Sequence, residues 1–278
     1  MTTQHLVIGG TGKTGRRVVD RLRERSLAVR VGSRSGEPPF DWQDQSSWDA
    51  VLSDVDRVYL TYHPDVAIPG TSQVIQAFSD AAAAAGVRRI VMLSGRGEEE
   101  ARVCEDVVRS SGLEWTVLRS SWMNQNFDEG YLLPGVLDGV LALPAPNTPE
   151  PFTDADDIAD VAVQAMITDD HVGRTYELTG PRMLTFTEVA AELSAAAGRP
   201  IEFTRIPTEA LTGALAEAGE PAEVVWLIGY LFDTVLDGRN ASVSDDIERV
   251  LGRKATDFSA YARAAAATGV WSPQRSES

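Results

Sequence analysis

The sequence predicts an α/β protein: a Rossmann-like, doubly wound parallel sheet with a smaller, mostly helical C-terminal substrate lobe. Three observations point there. A short apolar run, Leu6-Val7-Ile8, enters a glycine-rich turn and then a segment in which Val18, Val19 and Leu22 recur at helical spacing. Strand-like and helix-like segments then alternate strictly to about residue 120, as a parallel sheet with crossover helices requires. Past that point the rhythm gives way to a stretch rich in aromatics, glycine and proline, and later to helical patterning.

Taken in order, the first strand is Leu6-Val7-Ile8 and the first helix follows the glycines. Residues 27–32 (LAVRVG) form a second strand, 46–52 a short helix and 55–61 (VDRVYLT) a third strand. Val74, Ile75, Phe78, Ala81 and Ala85 share one face of the next helix. Residues 89–94 (RIVMLS) are a fourth strand, 98–110 a fourth helix and 114–119 (EWTVLR) a fifth strand. A helix runs from Thr153 to about Met166, with Asp156 and Asp157 in the first turn where the helix dipole favours acids, a structural role rather than a catalytic one. A strand at 175–178, a helix at 186–197, a strand at 201–206 and mostly helix from Thr208 complete the chain. This places a dinucleotide-binding domain at 1–150, with 151–180 returning to it, and a substrate-binding lobe at 181–278.

The turn reads Gly9-Gly10-Thr11-Gly12-Lys13-Thr14-Gly15. Gly12-Lys13-Thr14 imitates the end of an ATP-binding P-loop, but the glycine that motif needs five residues earlier is Val7. Gly10, Gly12 and Gly15 instead satisfy G-x-G-x-x-G, and strand and helix flank it as dinucleotide binding demands. Glycines let the backbone approach a diphosphate, and the N–H groups opening the helix hold its charge. In NAD-specific folds an acid about 20 residues further bonds the ribose 2′-hydroxyl. That place reads Gly32-Ser33-Arg34-Ser35, with no carboxylate before Glu37, so Ser33 and Arg34 favour the 2′-phosphate of NADP(H). Thr61 and Tyr62 after the third strand, and Ser94 and Gly95 after the fourth, fall where ligands gather beyond the carboxyl ends of strands. Ser94 either bonds cofactor or substrate or caps the following helix. His63, before Pro64, reads as a loop residue.

Composition bounds the partners. The 278 residues carry a formal charge of −16, which argues against nucleic acid and suits neutral or cationic small molecules. No apolar run reaches membrane-span length and no signal peptide is evident, so the expectation is a cytoplasmic protein without a membrane partner. One cysteine excludes an intramolecular disulfide, and three scattered histidines offer no metal spacing. A monomer and a homodimer remain equally open.

The run VIGGTGKTGRRVVDRL, the arginine after the second strand, GVRRIVMLS, EDVVRSSGLEWTVLRSSWMNQNF and DADDIADVA together resemble the NmrA-like, atypical short-chain dehydrogenase/reductase family. PPFDWQDQSSWDAVL, the TEAL segment after Ile206 and ERVLGRKATDFSAYA look most like its ergot-alkaloid-type (festuclavine and agroclavine) reductases and their bacterial relatives. The resemblance runs from residue 4 to about 271. It implies an NADP(H)-dependent oxidoreductase of secondary metabolism, acting in its fungal members on an iminium or enone. Relatives commonly carry LRP and a Phe-Met-Glu-Asn-Phe-like run where this chain has Leu118-Arg-Ser-Ser-Trp-Met-Asn-Gln-Asn126-Phe, a segment expected to face the nicotinamide.

Typical short-chain reductases protonate a carbonyl oxygen with a tyrosine activated by a lysine four residues on. The only lysines here are Lys13 and Lys254, and neither stands at that spacing from Tyr59, Tyr62, Tyr131, Tyr176, Tyr230 or Tyr261. An enzyme lacking the pair suits an acceptor already activated, an iminium, quinone or enone; the alternative is an NADP(H)-binding redox sensor without turnover. Ser94 and Tyr131 are the candidate catalytic residues, Tyr131 serving either as proton donor or as pocket wall. Trp122, Asn126, Phe127, Tyr131, Trp226 and Tyr230, with Phe232 nearby, are the candidate substrate contacts, although Trp226 and Tyr230 at helical spacing also suit a core.

Overall fold

The computed structural model describes residues 3–272. In chain order the elements are β1 (Gln4–Ile8), α1 (Lys13–Glu24), β2 (Ala28–Gly32), α2 (Trp48–Leu52), β3 (Arg57–Leu60), α3 (Thr71–Ala84), β4 (Arg89–Gly95), α4 (Glu99–Ser110), β5 (Glu114–Ser120), α5 (Leu133–Asp138), β6 (Val140–Leu143), α6 (Ala155–Ile167), β7 (Arg174–Leu178), α7 (Phe186–Ala197), β8 (Glu202–Arg205), α8 (Thr208–Glu217), α9 (Ala222–Tyr230), α10 (Asp246–Leu251) and α11 (Phe258–Ala267). They form two units. The first takes the chain up to Ser120, Ala155–Leu178 and Asp246–Gly252; the second takes Ser121–Asp154, Thr179–Asp245 and the chain from Arg253.

The first unit holds a six-stranded sheet in the order β2-β1-β3-β4-β5-β7, parallel at every pairing. Leu6, Val7 and Ile8 are fully buried because helices cover both faces of the sheet, which explains why β1 reads as a continuous apolar run rather than an alternating one. Leu6, Ile8, Val58, Leu60, Ile75, Phe78, Ile90 and Met92 belong to one core cluster. On α1, Arg17 and Arg21 pair with Asp156 of α6 at 3.1 and 2.6 Å, and Arg21 also pairs with Asp160. Asp156 is therefore a helix-packing residue. Arg89, wholly buried at the start of β4, donates to the carbonyl of Ala165 at 3.0 Å and to that of Thr168, and pairs with Glu114 at 2.7 Å. A cation at the C-terminal end of α6 satisfies carbonyls the helix leaves open.

In the second unit β6 and β8 form a two-stranded parallel sheet. Its core is strongly aromatic: Phe127 packs on Phe152 and Phe258, and Phe152 on Phe186, with ring centroids 5.3–6.0 Å apart.

The unit boundaries differ from those read in the sequence. Residues 121–154 belong to the second unit because Trp122, Phe127 and Phe152 are built into its core, and β6 lies in a stretch where no strand was expected. Ala155–Leu178 lie in the first unit, and so does α10: Asp246 accepts a 2.7 Å hydrogen bond from the backbone N–H of Glu177 in β7. No helix among the described residues is long and apolar enough to cross a membrane.

Candidate functional site

The glycine turn joins β1 to α1, and each glycine has its own reason. Gly9 lies in the left-handed region at φ +68°, and a Cβ there would sit 2.3 Å from Thr61 Oγ1, which donates to the carbonyl of Ile8 at 3.0 Å. A Cβ on Gly15 would lie 2.2 Å from the Gly9 carbonyl oxygen, so the helix could not start this close to the strand. Gly10 backs onto Val31 and Val7. Gly12, the residue before α1, is exposed together with Thr11, carries no side-chain cap, and is followed by a first turn with no acidic residue. Amide groups that α1 itself cannot satisfy thus face outward at its positive end. This cradle fits the diphosphate of a dinucleotide.

Side chains in the turn are a different matter. Thr14 is buried, and its hydroxyl accepts from Tyr59 Oη at 3.1 Å, so any contact it makes with a phosphate runs through its backbone N–H. The Lys13 carbonyl accepts from Arg17 Nη1 at 2.8 Å, which holds the first turn of the helix. The Thr61 hydroxyl is engaged by β1 and acts as a clasp on the turn.

At the end of β2, Ser33 Oγ lies 3.4 Å from Ser35 Oγ, and the Ser33 carbonyl accepts from the N–H groups of Gly36 and Phe40. The loop is therefore organised by its backbone. Arg34 stands exposed upon it, with no ion pair among the described residues. The Asp41-Trp42 segment locks the loops after β2 and β3 together: the Trp42 indole N–H donates to the Thr61 carbonyl at 3.2 Å, and its ring lies 5.1 Å from Tyr62 and 5.1 Å from Phe78. Tyr62 is thereby held half-buried beside the turn.

Ser94 ends β4 but does not face a ligand. It is 3% exposed and donates its one proton to Glu105 Oε1 of α4 at 2.7 Å. Glu105 is wholly buried and also receives Arg119 Nη2 at 2.7 Å and Arg109 Nη2 at 2.8 Å; Arg119 continues to Glu177, which binds Arg96. Burial alone would push the Glu105 carboxyl up, but the hydrogen bonds from Arg119 and Ser94 and the charges of Arg119 and Arg109 hold it below its ordinary value. With its proton committed to an anion, Ser94 cannot be a general acid. Nor does it cap α4.

The first unit also contains a feature that sequence reasoning missed. Asp65, after β3, and Glu98 and Glu100, at the start of α4, are drawn together near the end of β4. The acidic run Gly97-Glu-Glu-Glu100 was its only signal, and it reads equally well as a solvated helix start.

In the second unit, Phe127 is fully buried among Phe152, Phe186 and Phe258, and Trp122 packs edge-on to Phe186 at 5.6 Å and against Phe232 at 5.0 Å. Burial of their large apolar surface won over a place in a pocket, so Phe127 has no exposed surface to offer a substrate and Trp122 has little. Asn126 is half-buried in the turn before Phe127. Tyr131 is 41% exposed and Trp226 40%; Trp226 stacks on Tyr230 with centroids 5.1 Å apart and planes 6° from parallel. A cleft of about 560 Å³ lies among Pro144, Pro146, Arg205, Pro207, Phe232 and Leu236. Of the aromatic residues singled out in the sequence, only Phe232 lines it.

A family model described as NAD(P)H-binding matches residues 9–169. The chain is 31% identical to an NAD(P)H azoreductase of Xenophilus azovorans over 94% of this chain and 98% of that protein. It is 29% identical to agroclavine dehydrogenase of Claviceps fusiformis, over 92% and 95% respectively. Among solved structures, Citrobacter sp. triphenylmethane reductase complexed with NADP(H) superposes with a TM-score of 0.75 at 20% identity, covering 94% of this chain and 99% of that one.

Proposed function

We propose, for a chain that belongs to the NAD(P)H-binding family and is an oxidoreductase within it, an NADPH-dependent reductase acting on an activated small-molecule acceptor of iminium, quinone or enone type. One observation carries this: no tyrosine in the sequence is followed four residues on by a lysine. Three of the six tyrosines point away from a role as acid. Burial raises Tyr59, Tyr176 and Tyr261 above the ordinary phenol value, and each hydroxyl is engaged, by Thr14, His171 and Asp128 respectively. A ketone reductase would forgo the ~10²–10⁴-fold contribution of general acid catalysis; an electrophile that arrives polarised does not need it. The names of the relatives, an azoreductase and a dehydrogenase of an ergoline alkaloid, support acceptors of this kind.

The residues to hold the cofactor are the backbone of Gly10, Thr11, Gly12, Lys13 and Thr14 at the diphosphate, Arg34 with Ser33 at the 2′-phosphate, and Tyr62 beside the adenosine half. Gly9, Gly15 and Thr61 shape the turn. Bound there, the cofactor supplies hydride; the protein orients the acceptor and excludes water. Arg34 is exposed and has no ion-pair partner among the described residues, which leaves it free to meet a 2′-phosphate, whereas residues 32–36 at the end of β2 include no carboxylate for a 2′-hydroxyl.

The test is a screen of NADPH and NADH oxidation against menadione, an unsaturated ketone, a preformed quaternary iminium and a plain ketone. NADPH-linked turnover of the first three and not of the fourth is expected. Charge-assisted hydrogen bonds are worth about 1.5–3 kcal/mol, so Arg34→Ala should weaken NADPH binding roughly ten- to a hundredfold and leave NADH nearly unchanged. Equal losses for both cofactors would remove Arg34 as the discriminator.

A further inference from the structure

We propose that Glu98 is the proton donor to those acceptors that need a proton, the quinones and enones: its carboxyl lies against the end of β4 with one oxygen buried and without a partner, among Asp65, Glu100 and Glu105. The inference rests on the reductase reading and deepens it.

The placement comes from three facts. A Cβ built on Gly95, the last residue of β4, would meet both carboxyl oxygens of Glu98 within 2.2 Å, so the acid occupies the space that a glycine leaves at this strand end. Strand order reverses between β1 and β3, and a dinucleotide lies across the carboxyl ends on either side of that point, so β3 and β4 carry the half away from the glycine turn. Glu98 also precedes α4 without capping it, since no side-chain bond to the helix N–H groups is made. The carboxyl has been turned away from its ordinary structural use.

Its chemistry follows from its neighbours. Glu98 is 8% exposed, and its Oε2 has no hydrogen-bond partner among the described residues. Burial pushes its pKa well up, and the charges of Asp65 from the loop after β3 and of Glu100 and Glu105 from α4 push it further. Asp65 is itself pushed up by burial to about 6, and the Cys104 thiol of α4 up to about 12. No cation is among the charges that shift Glu98; Arg96, just past β4, pairs with Glu177, and Arg109 and Arg119 hold Glu105. The Glu98 carboxyl thus holds its proton more tightly than an ordinary glutamate does, and that is the proton it would donate.

The step balances with hydride from the bound nicotinamide as the named reductant. When hydride adds to the β-carbon of an enone, the C=C electron pair moves to give an enolate. The Glu98 O–H bond then breaks and its proton joins the enolate, leaving a carboxylate that solvent reprotonates through the remaining exposure of the side chain. With a quinone, the proton goes to the reduced oxygen. An iminium becomes a neutral amine on receiving hydride and bypasses Glu98.

The experiment compares wild type, Glu98→Gln and Glu98→Asp on menadione and on a preformed quaternary iminium, with infrared titration of the unliganded proteins. Glu98→Gln should lower kcat on menadione by ~10²-fold or more with KM within a few-fold, the scale of a lost general acid. It should leave the iminium rate within about twofold and abolish the loss of menadione rate at high pH. Glu98→Asp, which keeps the acid, should recover part of the menadione rate, which a merely structural role would not require. The protonated-carboxyl band of the wild type at neutral pH should vanish in Glu98→Gln. Equal menadione rates in wild type and Glu98→Gln, or a Glu98 ionised at neutral pH, would overturn the assignment and leave the reductase standing. A wild type that reduces neither acceptor would overturn both.

Discussion

Glu98 and Glu105 stand seven residues apart, at the start and in the middle of one helix, and burial has opposite outcomes for them. Glu105 is wholly buried, yet its pKa is held below the ordinary value because Arg119, Arg109 and the Ser94 hydroxyl all donate to it. Glu98 is buried too, the charges that act on it are those of the carboxylates Asp65, Glu100 and Glu105, and its pKa is pushed well up. Burial therefore sets the stakes, and the partners decide which protonation state bears them. Of the two carboxyls, one serves as an anchor for β4, β5 and α4, and the other is left with a proton to give.

The contrast breaks most severely if the anchor loses its counter-ion. Arg119→Ala would leave Glu105 buried and partly unpaired, and removing one partner of a buried pair costs on the order of 3 kcal/mol; urea titration should show that loss, with Arg119→Lys recovering part of it. Next comes Ser94→Ala, which removes one hydrogen bond to a charged group and should cost about 1.5–3 kcal/mol. It should leave kcat on an iminium nearly unchanged, since the hydroxyl is committed to Glu105; a collapse in turnover without loss of stability would return Ser94 to the list of acids.

The smallest effect sharpens the comparison through pH. Asp65 is raised from 3.8 to about 6, so the folded state holds that proton more tightly than the unfolded chain. Its contribution to stability is then present below the unfolded value and lost as pH rises across this window. Glu105, lowered in the fold, contributes stability above its unfolded value and loses it as pH falls. Asp65→Asn cannot ionise and should raise the Tm by a few degrees near pH 8 while changing it little near pH 4. Glu105→Gln should flatten the acid limb instead. Parallel curves for the two variants would mean that the groups do not differ as described.

What was legible in the sequence was what the backbone needs. Gly9 and Gly15 appear at the spacing of their motif because an atom more on either would strike Thr61 or the turn itself, and that constraint is local. β1, β3 and β4 were legible because strands covered on both faces are apolar throughout. Side-chain roles were less so. The Ser94 hydroxyl was expected to face a ligand or cap a helix, but its partner is eleven residues away on α4, a distance that no local pattern encodes. Phe127 and Trp122 looked like pocket walls because aromatics suit both pockets and cores, and only the positions of Phe152, Phe186 and Phe258 decide between the two. The Glu98 site was hidden for the same reason, since three consecutive glutamates show no sign of which of them turn inward.

The return of α10 to the first unit bears on how the molecule is made. The chain passes between the units at residues 120, 154, 178, 245 and 252, so the dinucleotide half is not complete when its fifth strand has been synthesised. β7 arrives some fifty residues later, and the carboxylate of Asp246 that receives its Glu177 N–H later still. On the ribosome the glycine turn would emerge well before the far edge of its sheet, and the closing contact of the first unit would form only after most of the second had already been extruded.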